Sequence, residues 1–412
     1  MKRQKAKAAG ENSVSLPAAA ARALGLAAGA KLDVVVRRGK VELLPDIHSL
    51  SRIYIEPTSR CNLSCRGCIR QASAEPEGDM SAEVFKALMK GLPRFPHLQS
   101  AIFGGFGEPT AHPDILGMIA AVKRAGLFTE LVSNGTSLDE ALAAGFVKSG
   151  LGRLWISIDG TDAHSFEASR SGALFKDLVA RVKVLRAADP EGSVGLGLAF
   201  VVTRENIKSL RNIGDLAREL GASRVSVSNP VPYSPETEKL MVCGQAMSLG
   251  GLAPAGAGVV IDLPRLDISS ATRNTVLRLI AGPESLELMG NPVAAETDHC
   301  RFVRERCVFV RWDGKVAPCM ALLRDHTVYF RGGARANKRH VFGALPAESL
   351  ADIWSAPAYR DFREKVAEFD FSPCHVCGGC SFSDDNAGDC GGSRHPAACG
   401  GCLWGQGVIQ CP

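Results

Sequence analysis

Three thiols within eight residues, Cys61-Asn-Leu-Ser-Cys65-Arg-Gly-Cys68, are the groups in this sequence most ready to do chemistry. Thiolates bind zinc and iron–sulfur clusters. A fully protein-bound four-iron cluster takes a ligand on every iron, so three thiols leave one iron open. An open iron can bind and reduce a substrate or cofactor, whereas a closed cluster can only pass electrons. Zinc is the competing reading of a Cys-x-x-Cys pair, but structural zinc takes four closed ligands and no fourth lies nearby in sequence. The remaining eleven of the fourteen cysteines are Cys243, which is isolated, and ten between Cys300 and Cys411. Glu11, Asn12 and Arg22 interrupt what would be the apolar core of an export signal. A chain without that signal is expected in the cytoplasm, where thiols stay reduced and serve metals or catalysis rather than disulfides.

These thiols need a scaffold. The chain has 412 residues, 46% hydrophobic and 22% charged, the profile of a folded soluble protein of two or three domains. Its formal charge of +5 belongs to the first 46 residues, nine Lys/Arg against four Asp/Glu, so any pull on nucleic acid would come from that segment. The longest uncharged stretch, 240–261, is rich in glycine and holds Pro254, a poor composition for a membrane helix.

Residues 12–44 read as a strand, a helix and two paired strands turning at Arg38-Gly39, too little to bury a core alone, so dimerisation is expected. From Arg52, six apolar runs (RIYIE, QSAIF, FTELV, RLWISI, VGLGLAFV, SRVSVS) alternate with amphipathic helical patterns. That alternation predicts an α/β fold, a full or partial barrel whose loops after each strand gather at one face. Residues 231–299 read as a Pro/Gly-rich insertion or linker with one helix near Ile268–Ile280, and 300–412 as a cysteine-rich domain in which metals replace a large core.

The spacing Cys-x3-Cys-x2-Cys after a first strand resembles the radical S-adenosylmethionine superfamily. Gly105-Phe106-Gly107-Glu108-Pro109 follows the second strand and resembles that family's loop for the methionine amino group, with Glu108 the acceptor. Ser133-Asn134-Gly135-Thr136 follows the third strand, and Ser157-Ile158-Asp159-Gly160 ends the fourth; both match places that hold the ribose or methionine portion. Arg170 resembles a basic contact for the cofactor carboxylate. Gly67 departs from the family, which often has an aromatic residue before the last cysteine. His112 reads as a loop or capping residue rather than a base, and Cys243 as a buried inert thiol.

The C-terminal region resembles the SPASM domain, whose members hold two auxiliary clusters. The resemblance implies Cys300, Cys307, Cys319 and Cys390 on one cluster, and Cys374, Cys377, Cys380 and Cys402 on the other, with Cys399 able to exchange with Cys402 or Cys390. His375 reads as a solvent-facing loop histidine, and Ile353-Trp354 as the apolar anchor of a connecting helix. The segment SVSLPAAAARALGLAAGAKLDVVVRRGKVELLP resembles an AbrB/MazE-like swapped hairpin, read as a dimerisation or docking element rather than a DNA reader.

The resemblance therefore implies a swapped-hairpin domain at 1–46, a partial (β/α)6 TIM-type barrel at 47–230, the linker, and SPASM at 300–412. It implies reductive cleavage of S-adenosylmethionine at a [4Fe-4S] cluster on Cys61, Cys65 and Cys68, fed by a ferredoxin or flavodoxin. IYIEPTSRCNLSCRGCIR, FVRWDGKVAPCMALL and CGGCLWGQGVIQCP look most like the maturase group associated with tungsten-dependent aldehyde oxidoreductases, whose substrate would be a protein, peptide or the tungsten cofactor. Competing readings are a peptide maturase forming thioether, carbon–carbon or formylglycine products, and a zinc- or iron–sulfur-binding regulatory protein.

Overall fold

The computed structural model describes residues 7–10, 13–23, 26, 32–37, 40–73, 75–243, 260–264, 266, 269–280, 285–288, 291–292, 300–369, 371–372, 374, 380–392, 399–405 and 407–411. Near the N-terminus β1 (Lys7–Gly10) pairs with β2 (Ser13–Ser15), the helix Ala18–Ala23 follows, and β3 (Leu32–Arg37) pairs with β4 (Lys40–Pro45). Arg37 lies opposite Lys40, and the turn expected at Arg38-Gly39 lies outside the described residues.

The expected six strands are β5 (Arg52–Ile55), β6 (Ser100–Phe103), β7 (Phe128–Ser133), β8 (Arg153–Ser157), β9 (Gly195–Val201) and β10 (Arg224–Ser228). They pair in parallel in chain order, as short βαβ connections require. Helices return the chain between them. Ser81 caps Ala82–Gly91, Asp139 caps Glu140–Ser149, and Gly150 ends the latter in the left-handed region.

The sheet does not stop at six strands. Within 231–299, β11 (Val260–Leu263) and β12 (Ser285–Leu288) continue it in parallel, joined by the helix Arg273–Ile280, and β13 (Asn291–Pro292) turns back antiparallel. Four-residue strands among glycines and prolines leave little periodicity to read. At the other side β14 (Cys307–Val310) lies parallel to β5, followed by β15 (Lys315–Ala317), the hairpin β16 (His326–Phe330) with β17 (Gly333–Asn337), and β18 (Gly343–Ala344) on β15. One open twelve-stranded sheet thus runs from β13 to β18 among the described residues, with β5 paired on both sides.

Alternation along the strands divides the core. Ile53, Ile55, Ala101 and Phe103 pack under the helices, while Tyr54 and Ile102 face the opposite way with Phe309, Phe302 and the C-terminal residues Leu403, Trp404, Val408 and Ile409. Tyr54 stacks on Phe309 with ring centroids 4.2 Å apart. The C-terminal segment is held against β10 by Gln410 N–H donating to Ser228 Oγ at 3.0 Å and by Asn229 Nδ2 donating to the Val408 carbonyl at 2.8 Å. No helix among the described residues is long and apolar enough to cross a membrane.

Candidate functional site

The cysteine loop leaves the C-terminal end of β5, and the Glu108, Asn134 and Asp159 loops leave β6, β7 and β8, so parallel pairing alone brings all four to one edge. Two glycines shape that edge. A Cβ on Gly107 would fall on the Thr58 carbonyl oxygen and 2.8 Å from that of Arg60, so only glycine lets the β6 loop lie against the chain entering the cysteines. Gly67 has φ +79°, a left-handed turn between Cys65 and Cys68 that glycine adopts without strain.

Glu108 is buried and its carboxylate accepts four bonds. Thr110 N–H (3.1 Å), Thr110 Oγ (2.7 Å) and Ser133 Oγ (2.8 Å) donate to Oε1, and Asn134 N–H donates to Oε2 at 2.7 Å. The Asn134 side chain then reaches the cysteine loop: Nδ2 lies 3.8 Å from Cys61 Sγ and donates to Asn62 Oδ1 at 2.9 Å, while Oδ1 accepts from Thr136 N–H. A single network therefore spans the β5, β6 and β7 loops. Asp159 is buried, accepts from Val201 N–H at 2.9 Å, and lies 2.9 Å from Arg170 Nε. Ser157 closes β8, half-buried, two residues before it. Gly105 packs over Glu56, whose Oε1 accepts from Phe106 N–H at 3.0 Å.

Burial pushes the thiols of Cys65 and Cys68 above their ordinary range. Arg170 works against burial at Cys65, and the Arg70 N–H and guanidinium do so at Cys68. Leu63 N–H also points at Cys61 Sγ, 3.5 Å away. Three thiols on one loop, with N–H donors and two arginines beside them, form a donor set that fits an anionic iron–sulfur cluster. Among the described residues no three His, Cys, Asp or Glu side chains close on one point as ligands of a single ion do. Ligands of separate irons need not.

Glu56, Asn62 and Asn206 were not among the residues singled out in the sequence, whereas Thr136 belongs to the Ser133-Asn134-Gly135-Thr136 stretch. Asn206 donates to the Asp159 carbonyl and ties β8 to β9. Glu56 faces Arg324, 268 residues away, across 3.5 Å, and both are almost fully buried. Asn62 was visible between two cysteines; Glu56 and Asn206 carry no local signal. His112 is buried with both ring nitrogens engaged, Nδ1 accepting from Asp114 N–H and Nε2 facing the Met80 carbonyl, a loop-fixing role. Cys243 is buried in the apolar cluster around Tyr54. Cys377 and His375 lie outside the described residues.

The Radical SAM superfamily profile matches residues 55–217, and the SPASM iron–sulfur cluster-binding domain profile matches 300–381. The chain carries a radical SAM domain followed by a SPASM domain. This radical SAM chain is 27% identical over 371 residues, 87% of its length and 96% of the relative's, to the tungsten-containing aldehyde ferredoxin oxidoreductase cofactor-modifying protein of Pyrococcus furiosus. It is 25% identical to the PqqA peptide cyclase of Granulibacter bethesdensis over 79% of both chains. Its fold is similar to that of Streptococcus suis SuiB bound to S-adenosylmethionine, with a TM-score of 0.55, 17% identity, and 83% and 73% of the two chains covered. The two domains imply a [4Fe-4S] cluster with S-adenosylmethionine and auxiliary iron–sulfur clusters.

Proposed function

We propose that this radical SAM enzyme is a maturase acting on a protein, peptide or cofactor, with the tungsten cofactor of an aldehyde oxidoreductase, or that oxidoreductase itself, as its substrate. The observation that carries the radical reading is the continuous network from Cys61 through Asn134 to the Glu108 carboxylate. It sets an anionic acceptor and a thiol at one edge of the sheet. On this reading Cys61, Cys65 and Cys68 hold the cluster. Glu108 accepts the methionine amino group, held in position by Ser133, Thr110 and Asn134, on a loop that Gly105 and Gly107 let pack against Glu56 and the chain entering the cysteines. Ser157 and Asp159 line the ribose side, and Arg170 offers its guanidinium to the cofactor carboxylate. When bound, the cluster and S-adenosylmethionine supply a 5′-deoxyadenosyl radical that takes hydrogen from substrate.

The tungsten assignment is supported by the near full-length likeness to the Pyrococcus furiosus protein, and a peptide substrate by the likeness to PqqA peptide cyclase. We read residues 1–46 as a dimerisation or docking element and a ferredoxin- or flavodoxin-type protein as reductant. The test is incubation of reduced enzyme and S-adenosylmethionine with a tungsten aldehyde oxidoreductase purified without its maturase. Faster 5′-deoxyadenosine release with a mass change in the oxidoreductase or its cofactor is expected. No response there, with stimulation by a peptide encoded beside the enzyme, would replace the tungsten reading by the peptide one.

A further inference from the structure

Two carboxylates flank the three-cysteine loop, Glu56 five residues before Cys61 and Glu75 seven after Cys68, and both reach the same stretch of the C-terminal domain. That stretch, residues 323–326, lies between the short turn Met320–Leu322 and β16. Glu75 Oε2 pairs with Arg311 at 2.5 Å, Arg311 donates in turn to the Leu323 carbonyl at 3.3 Å, and Glu75 Oε1 accepts from Asp325 N–H at 3.3 Å. The His326 ring closes the set, its Nδ1 donating to the Arg324 carbonyl at 2.9 Å. The backbone on both sides of Arg324 is therefore fixed, and its guanidinium is delivered to one place.

That place is the loop after β6. Arg324 Nη2 lies 3.5 Å from Glu56 Oε1, and Glu56 is its only ion-pair partner among the described residues. The same oxygen accepts from Phe106 N–H at 3.0 Å, and the guanidinium carbon stands 5.3 Å from the centroid of the Phe106 ring. Gly105 lies over the carboxylate so closely that a Cβ there would come within 2.6 Å of Glu56 Cγ. Phe106 thus has its backbone on Glu56 and its ring beside Arg324, two residues before Glu108. Arg324 and Glu56 are 1% and 2% exposed, so water does not screen the pair, and Glu56 alone would be an uncompensated buried anion. Burial works against the Glu56 charge, and Arg324 is the chief group opposing it, ahead of the Phe106 N–H. Without the cation the carboxyl takes a proton, and the bond that holds Phe106 loses its charge assistance.

We propose that Arg324 is a positioning residue for S-adenosylmethionine: acting through Glu56 and Phe106, it holds the 105–109 loop in place, so that the C-terminal domain completes the cofactor site of the radical domain. This rests on Glu108 as acceptor of the methionine amino group. It is tested in the full chain, reconstituted anaerobically, by calorimetric titration with S-adenosylmethionine, iron per chain and melting temperature. Arg324→Met and Glu56→Gln should each weaken binding roughly tenfold, the scale of losing the charge assistance of one hydrogen bond, with iron per chain unchanged. The double variant strands no charge and should bind about as well as Glu56→Gln alone, rather than show the roughly hundredfold loss of additive effects. Arg363→Met, at a buried arginine packed on Trp354 and Tyr359, supplies a destabilised chain that leaves the loop untouched; it should melt lower and bind S-adenosylmethionine as the parent does. Parental affinity in either single variant, whatever its melting temperature, would overturn the assignment, as would iron loss in Arg324→Met, additive losses in the double variant, or an equal loss of affinity in Arg363→Met. Should Arg324→Met not fold, the comparison of the double variant with Glu56→Gln decides alone. A parent chain that binds no S-adenosylmethionine would remove the cofactor reading, and this assignment with it.

Discussion

Glu108→Gln exchanges one carboxylate oxygen for an amide nitrogen and tests the β6 loop at its centre. The new NH2 group has two positions available. At Oε1 it would face three donors, Thr110 N–H, Thr110 Oγ and Ser133 Oγ. At Oε2 it faces only Asn134 N–H, so the amide settles there and leaves that buried N–H without an acceptor. An orphaned buried donor costs about 1–3 kcal/mol. The three bonds that survive lose the charge assistance of a carboxylate, which adds to this. A total of about 2 kcal/mol lowers the melting temperature by roughly 4–8 °C for a domain of this size. If Glu108 also holds the methionine amino group, losing one charged hydrogen bond of about 1.5–3 kcal/mol weakens S-adenosylmethionine binding by roughly ten- to a hundredfold. Anaerobic thermal melts and calorimetric titration of the reconstituted variant read both quantities. A variant that melts within a degree of the parent and binds S-adenosylmethionine equally well would refute the reasoning.

Gly107→Ala should cost about 3 kcal/mol by driving a methyl group into the Thr58 and Arg60 carbonyls, and the iron bound by the first cluster should fall with it; full iron content with unchanged melting would contradict the close approach. Asp159→Asn and Arg170→Gln should each cost about 3 kcal/mol by leaving a buried partner unpaired, and the double variant should cost about 2 kcal/mol less than their sum; additive costs would show that the pair is not coupled. At Asp189 burial pushes the carboxyl up, but the Ser193 hydroxyl, the Val194 and Ser193 N–H groups and Arg186 outweigh it and hold it below the usual carboxylate range. A carboxyl depressed in the folded state contributes stability above its unfolded pKa, near 3.9, that is lost as pH falls through the folded value. Denaturant melts from pH 6 down to pH 3 should therefore show a shallower decline for Asp189→Asn than for the parent, and parallel declines would remove the effect.

The central strands were legible because each is a short apolar run set off from an amphipathic helix. QSAIF and SRVSVS declare their limits through flanking residues, and β6 and β10 fall within a residue of them. The loop motifs were legible for the same reason: a parallel sheet puts the residue after every strand at one edge, so the order Cys61, Glu108, Asn134, Asp159 already implied proximity. What stayed hidden depends on contacts between distant segments. Strands β11 and β12 are too short and too close to glycine and proline to show a period. The pairing of β14 with β5 joins Cys307 to Arg52 across 255 residues of chain, and no local pattern announces it. Among ten closely spaced thiols, spacing alone does not say which four meet.

The most direct test of the central claim is 5′-deoxyadenosine quantified after anaerobic iron and sulfide reconstitution and dithionite reduction in the presence of S-adenosylmethionine. The account predicts steady formation by the parent chain and none after Cys61, Cys65 and Cys68 are changed to Ala. Zinc-loaded, iron-free protein that leaves S-adenosylmethionine intact would contradict it.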